Sequence, residues 1–506
     1  MKQILLFAVF IITLVSTSAQ STFNKRYYNF DNLVASDFIV QSDSEIVLVG
    51  GSYGTQVFFN RFNALGEILS SKKYVNTSQT IELNKVLAVS DSTFMTVGSF
   101  FNNESLVTEG LCMLLNENGD TLWTRRIHSG LNEACEVTNL KQLSDSTVIV
   151  TGFAYNNGFA LKMDVFGNEI WGIALGQNDV SASQGGMVNF QSVEEDDAGN
   201  LILVGYKIGA NSNQVGLIVE LDTDGNLIWS KSTTQNALFS DVLKFGQDYF
   251  LLEENADYIL KLDQSWQFQW GKYYFYSTSD DPSITSSLEL GKDSTILVTG
   301  NDFFMGSVLR IDSNGNPLES NNVFGKTCRV KETDSLGLYF LSNGPIYGVK
   351  SQAITQQHFS LSRVSSLDIS GQDICNWPIS FNAVDGVYNF QLDSILITSS
   401  IQLAENHLIM DTLLLQSEIG CVDFLGGLDE EYGINNFLIT PNPSSSEILV
   451  SMLDASNEEV LIFDSFGRLL KRGNLLNGKL MMSIAEYENG IYWISILGKT
   501  QKVVKN

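Results

Sequence analysis

The feature that most constrains the fold is an internal repeat of about fifty residues. Eight apolar, β-branched runs of strand length recur along the chain, at 45–51, 93–99, 147–153, 200–206, 249–255, 295–301, 338–344 and 394–400. Between them recurs a nine-residue segment with Asp or Asn second, usually Gly fifth and often Trp last, at 62–70, 115–123, 163–171, 221–229, 262–270, 311–319 and 367–375. Each repeat is therefore one structural unit that packs on its neighbours.

The repeat unit predicts four antiparallel strands: a first strand, a polar turn, the apolar run, a variable loop, a third strand, the Gly-containing turn and a closing strand with Trp. Such a unit is typical of one blade of a β-propeller. We expect an all-β ring of eight blades within 37–422, with seven as the alternative. The eighth copy is degraded, and residues 21–30 are expected to supply a strand that closes the ring.

The segment "LDTDGNLIW" (221–229) raises the question of a calcium loop. Counted from Asp222, an EF-type loop would find Asp224 and Asn226 at positions 3 and 5 but Thr233 at position 12, where an acidic ligand is required. A hairpin turn explains the residues that recur, because Asp or Asn caps its own backbone and Gly accepts positive φ. We predict a turn, with an incidental cation site at Asp222 and Asp224 as the alternative.

Other segments that could indicate catalysis lack the flanking elements that the corresponding catalytic sites require. "GGSYG" (50–54) has the spacing of a serine nucleophile elbow, but a strand-like run follows where a helix is required, so we predict a hairpin around Ser52. The three histidines, His128, His358 and His407, have no neighbouring motif. We therefore predict a non-catalytic protein that needs no cofactor and no metal. A pair of carboxylates of the kind glycosidases use remains open, because acidic residues are abundant.

The five cysteines do not form a C-x-x-C pair, so a zinc site is not expected. They are Cys112, Cys135, Cys328, Cys375 and Cys421. The sequence leaves two alternatives open. The cysteines are buried as small apolar side chains, or they form one or two disulfides.

The N-terminus predicts an exported protein, and the net charge limits the partners it can bind. The net charge of −27 disfavours nucleic acid and anionic membrane surfaces as partners.

Residues 1–19 have a basic start at Lys2, a short apolar run, and Thr17 and Ala19 at the −3 and −1 places of a signal-peptidase site. We predict a signal peptide at 1–19 and no membrane-spanning segment.

The tail of the chain predicts a separate domain. Residues 426–436 are glycine-rich and acidic, as expected of a linker, and 437–506 contain several short strand-like runs. A small immunoglobulin-like β-sandwich is predicted there, after a propeller at 20–425.

Four landmarks in this tail resemble the type A C-terminal sorting domain of the Bacteroidetes type IX secretion system. The residues that carry the resemblance are Pro441, Asn442, Pro443, Gly467, Asn489, Gly490, Tyr492, Lys502, Val503 and Lys505. The resemblance implies that an outer-membrane translocon reads the domain and that a sortase-like peptidase removes it. It also implies a protein that crosses the periplasm and is released or held at the outer-membrane surface.

The propeller repeat resembles repeats of secreted Bacteroidetes proteins and, more loosely, those of quinoprotein dehydrogenases. The latter carry a vicinal disulfide, whereas this sequence has no adjacent cysteines. We expect a propeller that binds a glycan or protein ligand through loops rich in Asn, Ser and Tyr. A polysaccharide hydrolase with unidentified carboxylates is the alternative.

Overall fold

The computed structural model divides the chain into two compact units, Met1–Leu425 and Gly426–Asn506. Almost all described residues form strands and turns, with one turn of 3-10 helix at Lys292–Ser294. The structure describes residues 23–28, 33–41, 45–52, 56–75, 80–103, 105–129, 133–177, 187–209, 213–254, 258–276, 284–301, 305–324, 326–333, 337–345, 357–364, 377–378, 381–393, 395–399, 401–405, 409–412, 416–419, 437–440, 446–452, 458–463, 468–476, 478–496 and 499–505. The predicted signal peptide and linker lie outside them.

The described residues of the first unit form seven five-stranded antiparallel sheets, here called blades 1 to 7. The first strand of the chain, β1 (Phe23–Tyr28), belongs to blade 7. Blades 1 to 3 contain, in order, β2 (Leu33–Val40), β3 (Ile46–Ser52), β4 (Gln56–Phe62), β5 (Ile68–Val75); β6 (Ile81–Ser90), β7 (Thr93–Asn102), β8 (Val107–Asn116), β9 (Thr121–His128); and β10 (Cys135–Gln142), β11 (Val148–Ala154), β12 (Asn157–Met163), β13 (Glu169–Gln177).

The remaining blades repeat this order of four consecutive strands. Blades 4 to 6 contain β14 (Met187–Glu195), β15 (Leu201–Ile208), β16 (Gln214–Leu221), β17 (Leu227–Asn236); β18 (Phe239–Phe245), β19 (Asp248–Glu253), β20 (Tyr258–Leu262), β21 (Phe268–Tyr276); and β22 (Ile284–Gly291), β23 (Thr295–Asn301), β24 (Met305–Ile311), β25 (Pro317–Phe324). Blade 7 contains β26 (Lys326–Thr333), β27 (Gly337–Pro345) and β28 (Gln357–Val364), and β1 pairs with β28 as its fourth strand.

The seven blades form a closed ring. The first strand of each blade contacts the first strand of the next, and β26 of blade 7 contacts β2 of blade 1. These first strands therefore surround the axis, and the all-β propeller predicted from the repeat is confirmed. The expected closing strand within 21–30 is confirmed as β1.

A second passage of the chain, residues 377–419, runs around the ring in the opposite direction; we call it the belt. Each belt strand pairs antiparallel with the fourth strand of one blade, visiting blades 6, 5, 4, 3, 2, 1 and 7 in turn. Its strands are β29 (Trp377–Pro378), β30 (Phe381–Gly386), β31 (Phe390–Leu392), β32 (Ile395–Ser399), β33 (Gln402–Glu405), β34 (Ile409–Thr412) and β35 (Gln416–Ile419).

The belt corrects the expected number of blades. The eighth apolar run, at 394–400, was predicted to be the centre of an eighth blade, but its strand β32 is the fifth strand of blade 3. The described sheets of the ring number seven, which was the alternative count. The outermost strand of a blade is a sheet edge with free backbone groups, and the belt pairs with part of that edge on every blade.

The apolar core lies between successive blades. Side chains from blades 1 and 2 form one cluster, which includes the fully buried Val47, Phe59, Phe94 and Leu111. The second strands contain long runs of buried residues, as Ile46 to Gly50 illustrate. Both faces of these strands are covered by neighbouring sheets, which explains their uninterrupted apolar sequence.

The described residues of the second unit form seven short strands in two sheets. These are β36 (Phe437–Thr440), β37 (Glu447–Met452), β38 (Glu459–Phe463), β39 (Leu469–Asn474), β40 (Lys479–Ser483), β41 (Gly490–Ile496) and β42 (Lys499–Lys505). One sheet has the order β36-β37-β40 and the other β39-β38-β41-β42. Ile448, Val460 and Ile494 are fully buried in the core that joins the two sheets, as predicted for a small β-sandwich.

Candidate functional site

The "LDTDGNLIW" segment forms the turn between the third and fourth strands of blade 4. Oδ1 of Asp222 accepts hydrogen bonds from the backbone N–H groups of Asp224 (3.0 Å) and Asn226 (2.8 Å), and Gly225 has a φ of 83°. A hydrogen bond from the Asn226 side chain to Asp222 Oδ2 (2.9 Å), together with these backbone bonds, holds the pKa of Asp222 below its usual range. Equivalent paired bonds occur at Asn63, Asn116, Asp164, Asp263 and Asp312. The predicted turn is confirmed.

The "GGSYG" segment is part of a hairpin. Ser52 is the last residue of β3 and lies opposite Gln56, the first residue of β4. A strand therefore follows the serine where a nucleophile elbow requires a helix, and the predicted hairpin is confirmed.

The most repetitive feature of the ring is a β-bulge at the same place in every first strand. The register between first and second strands shifts by one residue at this point in all seven blades. The residues that follow the bulge, here called the axial ring, are Asp37, Lys85, Asn139, Ser192, Asp241, Ser287 and Arg329. A bulge redirects the side chain that follows it, so this polar set lies at the strands around the axis.

Hydrogen bonds within the axial ring tie neighbouring blades together. Oδ2 of Asp37 accepts from the N–H of Val86 in blade 2 (3.0 Å), and its Oδ1 lies 3.4 Å from Nε of Arg329 in blade 7. In blade 5, Asp241 accepts from Ser192 Oγ of blade 4 (2.8 Å) and from the N–H of Leu288 in blade 6 (3.0 Å). Two aspartates thus each bridge three consecutive blades.

The two ends of the ring differ in their connections. At one end, the turn face, the third and fourth strands of blades 1 to 6 are joined by four or five residues, mostly in the Asx-type turn described above. At the other end, the loop face, the connections between second and third strands are 53–55, 103–106, 155–156, 209–213, 254–257, 302–304 and 346–356. Their length therefore varies from two residues to eleven on an otherwise regular scaffold.

Polar and aromatic side chains occur on the loop face of blades 2 to 4. Glu82 of β6 and Glu136 of β10 occupy equivalent positions, two residues before the bulge. Burial, and then the charge of Glu82, raise the pKa of Glu136. Tyr155 lies in the blade 3 connection with 58% of its surface exposed and a φ of 55°, an unusual conformation for an aromatic residue. Sequence reasoning missed all three residues, because the repeat does not show which side chains come together on the loop face.

The described cysteines and histidine show no metal-binding or nucleophilic arrangement. Cys112 and Cys135 are free and fully buried, and burial raises the pKa of the Cys135 thiol to about 12. His128 is only partly buried, and burial lowers its pKa. No group of three metal-ligating side chains is present in the described part of the chain. The side chains of the other three cysteines lie outside it.

The structure describes some of the predicted sorting residues, and the others lie outside the described part of the chain. Asn489 lies in an exposed bend and Gly490 begins β41. The pairing of β41 with β42 brings the "NGIY" segment and the basic end together, since Gly490 lies opposite Lys505 and Tyr492 opposite Val503. Pro441, Asn442, Pro443 and Gly467 lie outside the described residues, as does the side chain of Lys502.

Tyr492 and Val503 are structural residues of the sandwich. Tyr492 is 8% exposed, stacks on Tyr487 and donates a hydrogen bond to the carbonyl of Glu488 (2.7 Å), whereas Val503 is fully buried. Lys505 is also buried, with 8% of its surface exposed.

Comparison with known proteins agrees with the role of the tail. Residues 438–506 match the family described as "Secretion system C-terminal sorting domain". The second unit is thus a type IX secretion sorting domain, and the protein is exported to the cell surface or the medium. The secretion system that reads such domains is accordingly its partner.

Similar solved structures are distant. A structure titled "Structure of Dos1 propeller" is 10% identical with a TM-score of 0.32, covering 96% of this chain and 95% of that one. A luciferin-regenerating enzyme is 10% identical with a TM-score of 0.34, covering 68% of this chain and 96% of the other. A Synechocystis apocarotenoid oxygenase mutant is 10% identical with a TM-score of 0.23, covering 55% and 60%. None of the curated proteins compared with the chain matches it.

Within the described residues, no helix is long and apolar enough to cross a membrane.

Proposed function

We propose that the propeller is a non-catalytic binding module that takes a glycan or protein ligand on its loop face. The observation that carries the proposal is the asymmetry between the two faces. On the turn face, one short turn joins the third and fourth strands of six blades, whereas the loop-face connections between second and third strands differ from blade to blade in length and sequence. A rigid scaffold that presents variable loops on one side is the usual arrangement of a recognition surface.

The described residues on this face have suitable chemistry. The Tyr155 ring is exposed and held in a strained backbone conformation, which is often found where a side chain contacts a ligand. Glu82 and Glu136 supply carboxylate acceptors for hydroxyl or amide groups. Asn189 Nδ2 lies 3.3 Å from the Tyr206 hydroxyl on the same face of blade 4.

A glycan array and a panel of surface polymers, applied to the mature full-length protein, test the proposal. Tyr155→Ala is expected to weaken binding at least about tenfold, the equivalent of 1.4 kcal/mol. Phe166→Ala is the matched control, because Phe166 is an exposed aromatic of the same blade on the turn face. Equal losses in the two variants, or ligand binding unaffected by Tyr155→Ala, would refute this location.

A polysaccharide hydrolase is the second candidate, favoured by the equivalent placement of Glu82 and Glu136 on adjacent blades. Burial raises the pKa of Glu136, as a general acid requires. A hydrolysis screen distinguishes the two functions. Product formation that Glu136→Gln abolishes would establish the hydrolase and remove the binding module.

A further inference from the structure

The four-stranded sheet of the sorting domain presents an aromatic side chain on its outer face. Ile462 and Ile494 are fully buried in the core between the two sheets. Because side chains alternate along a strand, their neighbours Phe463 and Trp493 lie on the other face of the sheet, away from the core. Trp493 is 40% exposed and Phe463 is half-buried. The outer face therefore exposes an indole that the core of the domain does not use.

A row of apolar side chains continues from Trp493 across three strands. Phe463 of β38 lies opposite Leu469 of β39 on one side and opposite Trp493 of β41 on the other. Opposite side chains of neighbouring strands are about 5 Å apart, so the row is continuous. Leu469 is 40% exposed, and Leu470, in the bulge of β39, is 38% exposed. We call Leu469, Phe463 and Trp493 the outer row.

The outer face of the three-stranded sheet has no such row among its described residues. Met481 of β40 is 61% exposed and lies opposite the half-buried Leu449 of β37. The pairs on either side of these two residues are polar, namely Ser451 with Lys479 and Glu447 with Ser483. The domain is thus asymmetric, with an aromatic outer face on one sheet and a mainly polar outer face on the other.

The aromatic face is close to neutral. The described ionic side chains on this face of β38, β39 and β41 are Glu459 and Arg472, which pair at 3.2 Å. This neutrality contrasts with the net charge of −27 on the whole chain. Exposed apolar patches are typical of protein–protein contact sites, where Trp contributes more binding energy than most side chains. The face therefore fits an apolar cleft of another protein.

We propose that the outer row is the docking surface of the sorting domain, with Trp493 inserted into an apolar cleft of the secretion-system protein that receives it. The match of residues 438–506 to a sorting domain supports this occupant, because such a domain acts by being bound. The cleft must accommodate three adjacent strands, a width of about 10 Å. The proposal rests on the sorting role of the tail and adds the face and the side chain that carry it.

Export of full-length variants tests the docking surface. Trp493→Ala is expected to lower the ratio of extracellular to periplasmic protein at least about tenfold, as the loss of a central aromatic side chain does in other interfaces. Leu469→Ala should lower the ratio less, and Trp493→Phe, which keeps an aromatic ring, should retain most of it. Met481→Ala is the matched control, because it removes an exposed apolar side chain from the opposite face.

Two further measurements separate docking from folding. Thermal unfolding of the purified full-length variants should give midpoints for Trp493→Ala and Met481→Ala within about 2 °C of each other. An excess of wild-type protein in the periplasm should slow the export of a second protein that carries a sorting domain. The same excess of Trp493→Ala should not slow it, because this variant does not occupy the receiving site.

The outcomes distinguish the docking surface from the sorting role. Retention of the chain without residues 437–506, together with export of Trp493→Ala at the wild-type ratio, would overturn the docking surface and leave the sorting role intact. Export of the truncated chain would remove the sorting role and the docking surface with it. A much lower midpoint for Trp493→Ala would show that the indole stabilises the folded protein instead. Loss of dimers in this variant with unchanged export would show that the face joins two copies, and either result would overturn the proposal.

Discussion

The indole nitrogen of Trp171 in blade 3 donates a hydrogen bond to the carbonyl of Thr223 in blade 4, 3.1 Å away. The same ring lies against the next turn glycine, since a Cβ added to Gly225 would come within 2.9 Å of it. Gly167 and Gly315 meet Trp123 and Trp270 of the preceding blades in the same way. The Trp and the Gly of the repeat are therefore the two halves of one contact between blades.

Replacing Gly225 with Ala should be more destabilising than the same change at a turn glycine in open space. Gly225 combines a φ of 83° with the close Trp171 ring, whereas Gly246 has a φ of 62° and no atom within 4 Å of an added Cβ. Gly246→Ala should cost about 1–2 kcal/mol from backbone strain alone. Gly225→Ala should cost at least about 1 kcal/mol more from overpacking, measured by urea unfolding. Equal costs would mean that the Trp contact carries no energy.

Stability should fall as the pH rises above the pKa of an exposed tyrosine, which is 10.0. Burial raises the pKa of Tyr27 and Tyr74, whose hydroxyls donate to the turn carbonyls of Gly66 and Gly119 in the next blade. The folded protein keeps these protons while the unfolded chain releases them, so the stabilisation is complete below pH 10 and declines above it. Unfolding midpoints between pH 8 and about 11 should show this decline. Tyr74→Phe should make the slope shallower, and an unchanged slope would contradict the assignment.

The belt should be required for a monomeric propeller. A mature chain ending at 364 would leave the fourth strand of each blade as a free edge, and such edges pair with other chains. Light scattering and urea unfolding should show self-association and a lower midpoint for this truncation. A chain ending at 425 retains the belt and is the control. If both truncations remain monomeric with the same midpoint, the belt does not protect the edges.

The repeat in the sequence predicted the blade and its turns well, because each depends on local chemistry. Asp222 caps its own turn and Gly225 supplies the positive φ, and both requirements are visible in a nine-residue segment. The belt was not predicted, since the positions of its short strands depend on pairing with strands that are distant in the sequence. Ile395 to Ser399 illustrates this, because its composition resembles that of a central strand while its position is the outer edge of blade 3.

The axial ring was also beyond sequence reasoning. Its members differ chemically from blade to blade, so no motif marks them. Their positions depend on the bulge, which shifts the alternation of the first strand by one residue. Asp37 and Arg329 become neighbours only when seven first strands are placed around one axis.

Within the sorting domain, a core substitution should reduce export where a surface substitution does not. Tyr492→Ala removes a buried ring from a core of about a dozen side chains and should cost about 3 kcal/mol, enough to unfold a domain of this size in a large fraction of molecules. Leu476→Ala, at a side chain that is 72% exposed, is the control. The ratio of extracellular to periplasmic protein measures both, and equal ratios would show that export does not depend on the folded sandwich.

The most direct test of the account is export of the chain without residues 437–506. The full-length protein should reach the cell surface or the medium, and the truncated protein should accumulate in the periplasm with its propeller folded. Fractionation of cells expressing each form measures this. Unimpaired secretion of the truncated protein would contradict the claim that the second unit directs export.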